Sequence, residues 1–143
     1  MPKKEPGQFR LIHHLSCPEG ESVNDGIDPE DCAVAYASVE DAIKLVRTAG
    51  KGALMAKADI ESAFRLLPVH HSSYHLLGFQ CEGKAYFDKA LPMGCSISCA
   101  YFELFSTSLE WLLHKRHPGG GKLPYLDDFL FVGKPEEEEC SFL

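Results

Sequence analysis

Lys122-Leu123-Pro124-Tyr125-Leu126-Asp127-Asp128-Phe129-Leu130-Phe131-Val132-Gly133 sets two adjacent carboxylates between two short, β-prone apolar runs. Asp is depleted in strands and enriched in turns, so the local reading is a hairpin with Asp127-Asp128 at its tip. Like charges this close repel and raise one another's pKa. A divalent cation is a good reason to hold them together. The plain alternative is a solvated turn that happens to contain Asp-Asp. What separates the two lies upstream.

Gly52 to Asp59 reads as a largely buried strand that ends in a carboxylate. An ionised Asp at the edge of a core needs a partner or a metal, unless it caps the turn that follows. Leu91-Pro92-Met93-Gly94-Cys95-Ser96 is a Pro-x-Gly loop of the kind that lets a ligand approach the backbone. It opens a long helix from about Ser96 to about Lys115, apolar enough to predict burial on most sides. Gly119-Gly120-Gly121 links that helix to the acidic hairpin.

An earlier helix is expected from Ser38, which would cap it, to Gly50, with Val39, Ala42, Ile43 and Val46 as its apolar stripe. Between Asp59 and the Pro-x-Gly loop, runs at Leu66–Val69, Tyr74–Gln80 and Lys84–Ala90 suggest an antiparallel meander. His70, His71 and His75 invite a zinc reading, but adjacent loop histidines more often face solvent. Residues 16–35 read as a long irregular loop. Phe9 to Ile12 is a plausible strand after the Pro6-Gly7 turn, which could bring Lys3 and Lys4 near Arg10. Three such cations could bind a polyphosphate, or simply be solvated. Pro135 with the four glutamates after it reads as the first turn of another helix.

Composition bounds the rest. The 143 residues suffice for one domain with a core, and 45% hydrophobic with 24% charged residues is ordinary for a globular chain. The sequence shows neither an apolar run of transmembrane length nor a signal peptide, so a soluble intracellular protein, cytoplasmic or nuclear, is expected. Six cysteines show no metal-type spacing and read as reduced thiols, several of them buried. The net charge of −7 has the wrong sign for a strong nucleic-acid binder, although a local basic groove stays compatible with it.

Strand, loop-helix and hairpin can form an antiparallel sheet backed by helices that brings Asp59 beside Asp127. Carboxylates that hold two Mg²⁺ roughly 3.5–4 Å apart are the two-metal arrangement for phosphoryl or nucleotidyl transfer. Mg²⁺ prefers oxygen ligands, which suits Asp better than His or Cys.

With those residues in place, the sequence resembles the reverse transcriptase family. Tyr125-Leu126-Asp127-Asp128 is similar to its Tyr-x-Asp-Asp motif. Lys57-Ala58-Asp59-Ile60-Glu61-Ser62-Ala63-Phe64 resembles its first catalytic-aspartate motif, and Leu91-Pro92-Met93-Gly94-Cys95-Ser96 its Leu-Pro-x-Gly segment. Lys3-Lys4-Glu5-Pro6-Gly7-Gln8-Phe9-Arg10 resembles the fingers hairpin. The four motifs stand in the family's order across nearly the whole chain. In wording they look closest to the DIRS-like retroelements that integrate with a tyrosine recombinase.

The resemblance implies an α+β fold: an antiparallel palm sheet backed by helices, with a partial fingers hairpin. Residues 1–35 would be fingers hairpin and loop, and 36–143 the palm core. It implies RNA-directed DNA polymerase activity on a primed RNA or DNA template with dNTPs, using two Mg²⁺, with Mn²⁺ as the alternative ion. Asp59, Asp127 and Asp128 would be catalytic and hold the metals, helped by the Ile60 carbonyl. Lys3, Lys4 and Arg10 would hold the triphosphate. Phe64 would crowd the sugar 2′ position, unless it is simply a core phenylalanine. Gly94 would let the backbone approach the nucleotide, and Tyr125 would lie near the primer end. Met93 stands where some members carry glutamine, so no side-chain bond to the sugar is implied. By the same resemblance, the later palm, thumb, RNase H and recombinase parts of a larger polyprotein are expected outside these 143 residues. A catalytically silent remnant that binds nucleic acid or a protein is the competing expectation. Another two-metal nucleotidyl transferase on a palm-like sheet ranks lower, because it leaves the Lys-Lys and Leu-Pro-x-Gly motifs unexplained.

Overall fold

A computed structural model describes residues 11–134. The chain divides into two compact units, Met1–Ala33 with Ser62–Ala100, and Val34–Glu61 with Tyr101–Leu143.

The second unit is built on a three-stranded antiparallel sheet. Helix α1 spans Val39–Ala49 and strand β1 spans Leu54–Asp59. Strands β4, Gly121–Tyr125, and β5, Asp128–Gly133, follow helix α2, Ser98–Arg116, which begins in the first unit. The strand order is β1-β5-β4, with β5 in the centre. Pro124 has no N–H to give and sits on edge strand β4, where a proline is tolerated. Phe102, Phe129 and Val132 are the buried apolar side chains of this unit.

Helix α1 starts as expected. The Ser38 hydroxyl accepts from the Asp41 amide, and the Asp41 carboxylate accepts from the Ser38 amide, a reciprocal capping box. Gly50 ends it at φ 88°. The face it buries differs from the expected stripe. Val39 and Ile43 are exposed, and Leu45 lies against Gly121, where any Cβ would collide with its side chain. The missing side chain at Gly121 leaves room for Leu45 of α1 against β4. The buried Lys122 donates to the His117 and Gly119 carbonyls just past α2.

Three burial expectations are corrected. Strand β1 is not largely buried: Leu54 and Met55 are exposed, because β1 is an edge strand paired only with β5. Helix α2 is not buried on most sides. It encloses Phe102 and Ser106 completely and leaves Tyr101, Leu104, Trp111 and Leu112 exposed. None of the five described cysteines is buried, and all are free thiols; Cys140 lies outside the described residues.

The first unit holds a two-stranded hairpin, β2 at Gly78–Cys81 and β3 at Lys84–Phe87. Glu82 and Gly83 turn it, both at positive φ, as a two-residue hairpin of the primed type requires. The expected meander contracts to this hairpin. Ala63–Leu66 and His71–Leu77 form 3₁₀ turns, and Pro68 makes only an isolated bridge to Ala90. Pro68 has no amide to donate to a ladder, and the His70 side chain accepts from the Ser72 amide, which starts a turn there. That is what His70 does among the described residues, where no group of His, Cys, Asp or Glu is gathered to hold a metal.

An ionic cluster around the buried Asp88 ties this unit together. Asp88 is 5% exposed; Arg65 Nη1 donates to both of its carboxylate oxygens at 2.6 Å, and His13 Nε2 lies 3.1 Å from Oδ2. Burial pushes the Asp88 carboxyl up. The Arg65 hydrogen bond, the Ala90 amide, the Arg65 charge and the His13 contact outweigh it and hold Asp88 below the usual carboxylate range.

Candidate active site

The acidic hairpin forms as the sequence predicts, with a feature the sequence does not announce. Tyr125 pairs with Asp128, so Leu126-Asp127 is a two-residue turn, and Leu126 is left-handed at φ 53°. A leucine there is strained by about 1–2 kcal/mol. Helix α2 holds the strained residue from both sides. The wholly buried Ser106 donates its hydroxyl to the Leu126 carbonyl at 2.6 Å, and the Glu103 carboxylate accepts from the Leu126 amide. Burial pushes the Glu103 carboxyl up, and the Leu126 amide only partly offsets it. Sequence reading missed both residues. Their one signal was a polar pair three residues apart within the apolar span of α2, which puts them on one helix face.

The turn is also pinned to β1. The register runs from Leu54 opposite Gly133 to Asp59 opposite Asp128, and the Ile60 amide donates to the Asp127 carbonyl at 2.8 Å. Three sequence-predicted carboxylates thereby share one end of the sheet: Asp59 at the end of β1, Asp127 in the turn, and Asp128 at the start of β5. Asp59 is not spent on capping, because the 3₁₀ turn at Ala63–Leu66 begins without a side-chain cap. Asp59 and Asp127 are exposed and Asp128 is half-buried. An apolar cleft of about 530 Å³, lined by Leu54, Met55, Gly121, Val132 and Gly133 among others, reaches the opposite end of these strands, away from the carboxylates.

The electrostatics centre on Lys57. Its Nζ lies 2.9 Å from Asp128 Oδ2. The Asp128 hydrogen bond, then its charge, raise the Lys57 ammonium above the usual lysine range, with smaller contributions from Asp59 and Asp127. Asp128 Oδ1 is buried with no hydrogen-bond partner among the described residues. A carboxylate oxygen withheld from both water and donors is one a cation would satisfy. The donor set, all carboxylate and carbonyl oxygen, fits Mg²⁺. With Lys57 on Asp128, the three carboxylates are not gathered into a ready-made cage.

The remaining predicted residues fall as follows. Phe64 and Gly94 belong to the first unit, Phe64 half-buried and Gly94 exposed. Gly94 has a structural reason of its own to be glycine: its φ is 104°, and a Cβ would collide with the His13 carbonyl oxygen. The His13 amide donates to the Met93 carbonyl at 2.9 Å. Asn24, another residue unremarked in the sequence, clips the same loop. Its side chain donates to the Gly94 carbonyl at 2.9 Å and accepts from the Ser96 amide at 3.0 Å. Tyr125 is half-exposed, with its ring 5.2 Å from that of Tyr36. Lys3, Lys4 and Arg10 lie outside the described residues, as do the glutamates after Pro135.

Comparison with known proteins bears on the fold and the family. The Tf2-7 and Tf2-3 transposon polyproteins of Schizosaccharomyces pombe (strain 972 / ATCC 24843) are each 28% identical to the chain over 88 residues, 62% of this chain and 6% of each polyprotein. The fold is similar to that of a foamy viral protease-reverse transcriptase solved in complex with double-stranded DNA, with a TM-score of 0.69 and 24% identity over 99% of this chain and 22% of that one. The prototype foamy virus protease-reverse transcriptase CSH mutant gives a TM-score of 0.61 over 85% of this chain and 15% of that chain. The chain thus spans a small part of the length of the relatives it matches. A family model described as "Reverse transcriptase (RNA-dependent DNA polymerase)" matches residues 1–142, and the chain belongs to that family.

Proposed function

We propose that this chain carries the catalytic centre of an RNA-directed DNA polymerase of a retroelement, which transfers a nucleotidyl group from a dNTP to a primer 3′-hydroxyl. The observation that carries the reading is the β1–β5 register, which sets Asp59 opposite Asp128 while the Ile60 amide holds the Asp127 carbonyl. Asp59 and Asp127, with the Ile60 carbonyl, would hold two Mg²⁺ or Mn²⁺, and Asp128 would be the third carboxylate. Bound there, the ions would lower the pKa of the attacking hydroxyl and neutralise charge on the departing pyrophosphate. Lys3, Lys4 and Arg10 would grip the triphosphate, since guanidinium and ammonium groups suit phosphate oxygens. Phe64 would crowd the sugar 2′ position, Gly94 would border the nucleotide, and Tyr125 would lie beside the primer terminus. The partners are a primed RNA or DNA template and dNTPs, within a larger polyprotein. The DIRS-like wording of the motifs points to a flanking tyrosine-recombinase reading frame.

The test is extension of a primed RNA template by the chain with dNTPs and Mg²⁺. Extension abolished by Asp127→Asn, with the fold intact, supports the reading. The absence of extension from well-folded wild-type protein refutes activity for this chain. That outcome favours the silent, binding-only remnant, the reading to which the net charge of −7 lends weight.

A further inference from the structure

The sequence presents Lys57 only as part of a motif, yet it is the cation paired with Asp128 at the acidic end of the sheet. It lies two residues before Asp59 on β1, so both side chains share one face of the strand. In register, Lys57 stands opposite Leu130, and its ammonium reaches along the sheet to Asp128 Oδ2 at 2.9 Å. Meanwhile Asp128 Oδ1, the other oxygen of the same carboxylate, is buried and unpartnered among the described residues. One cation therefore satisfies half of a carboxylate within a group of three, and the other half is left for something else.

We propose that Lys57 is a tethered counter-ion of Asp128 that competes with divalent ions for that carboxylate. The inference rests on the proposed metal-binding role of Asp59, Asp127 and Asp128. The physical argument is short. Three carboxylates at one sheet end repel one another, and a cation offsets that repulsion while the protein folds. The Lys57 side chain is 66% exposed, so it can leave Asp128 without repacking anything. An exposed ion pair of this kind is weak, as an exchangeable placeholder must be. An arriving dication meets the ammonium as a like charge and as a rival for the same oxygen. Lys57 thus raises the ion concentration needed to fill the site.

The test measures ion binding rather than polymerisation. Mn²⁺ is titrated into the full chain, and paramagnetic broadening of the Asp59, Asp127 and Asp128 amides is followed by NMR. Lys57→Gln removes the charge and keeps much of the stem. It should tighten Mn²⁺ at these amides by about three- to tenfold, the scale of cation–dication repulsion over a few ångströms in high dielectric. The gain should shrink toward onefold near 1 M salt, where screening is short-ranged. Lys57→Arg, which keeps the charge, should bind within about twofold of wild type. In an Asp128→Asn background, the gain from Lys57→Gln should be smaller than in the wild-type background, because the competition for that oxygen is gone and only charge repulsion remains. If wild type shows no selective broadening at the three aspartates, the metal reading itself fails. If wild type binds but Lys57→Gln, folded by circular dichroism, binds equally or more weakly, the metal reading stands and the counter-ion inference is overturned.

Discussion

Replacement of Ser106 by alanine should loosen the acidic hairpin from behind. The Ser106 side chain is wholly buried, and its hydroxyl donates to the Leu126 carbonyl at 2.6 Å. Leu126 is the left-handed residue of the turn at φ 53°. Loss of the hydroxyl leaves that carbonyl without its donor, at a cost of about 1–3 kcal/mol. The strain of about 1–2 kcal/mol at Leu126 is not relieved, because pairing of Tyr125 with Asp128 and the Ile60–Asp127 bond still impose the turn. A loss of about 2 kcal/mol is therefore expected, or roughly 4–8 °C in Tm for a chain of this size. Ser106→Cys, which keeps a weak donor, should fall between the two. Hydrogen exchange localises the effect. The Ile60 amide, bonded to the Asp127 carbonyl, should lose protection, while Val132, farther along β5, should change less. A stability change under about 0.5 kcal/mol with Ile60 protection intact would refute the claim that α2 holds the strained turn.

Asp88→Asn should destabilise by about 1–3 kcal/mol, because the half-exposed Arg65 and the buried His13 lose their shared, buried carboxylate. The folded Asp88 titrates below its ordinary value of 3.8, so its contribution is present above that value and is lost as pH falls through the depressed one. The gap between wild type and variant in denaturant melts should accordingly narrow below about pH 4, and a constant gap would count against the cluster. Glu103 has the opposite sign. Its folded carboxyl titrates above the ordinary 4.5, so wild type loses stability as pH rises through that raised value. Glu103→Gln lacks this loss, and its stability relative to wild type should improve from pH 4 toward pH 7; a pH-independent difference would contradict the burial argument. Phe64→Val should raise ribonucleotide incorporation relative to deoxynucleotide by on the order of tenfold in single-nucleotide extension. A loss of about 1–3 kcal/mol with discrimination unchanged would instead make Phe64 a packing residue.

The sequence by itself determined the elements whose causes are local. Ser38 and Asp41 set the start of α1 and Gly50 its end, since caps depend on residues within one turn. The Asp127-Asp128 pair between two β-prone runs marked a turn, and the order of four motifs was enough to suggest the family. Burial was misjudged wherever a covering partner had to be inferred. Apolar content alone does not say that β1 is an edge strand or that α2 leaves Leu104 and Trp111 exposed. The meander failed because local hydrogen bonding at His70 and the missing amide of Pro68 outweighed β propensity.

Only the tertiary structure decided the site. A shift of one residue in the β1–β5 register would turn Asp59 to the other face relative to Asp128, and register is a property of two strands almost 70 residues apart. The same holds for Ser106 and Glu103, which matter because α2 places them against Leu126. It holds for Gly94, whose missing side chain makes room for the His13 carbonyl. Lys57 is the sharpest case. The sequence puts it two residues from Asp59, and only strand pairing puts its ammonium on Asp128. Local chemistry chose which residues were available, and long-range pairing chose which of them meet.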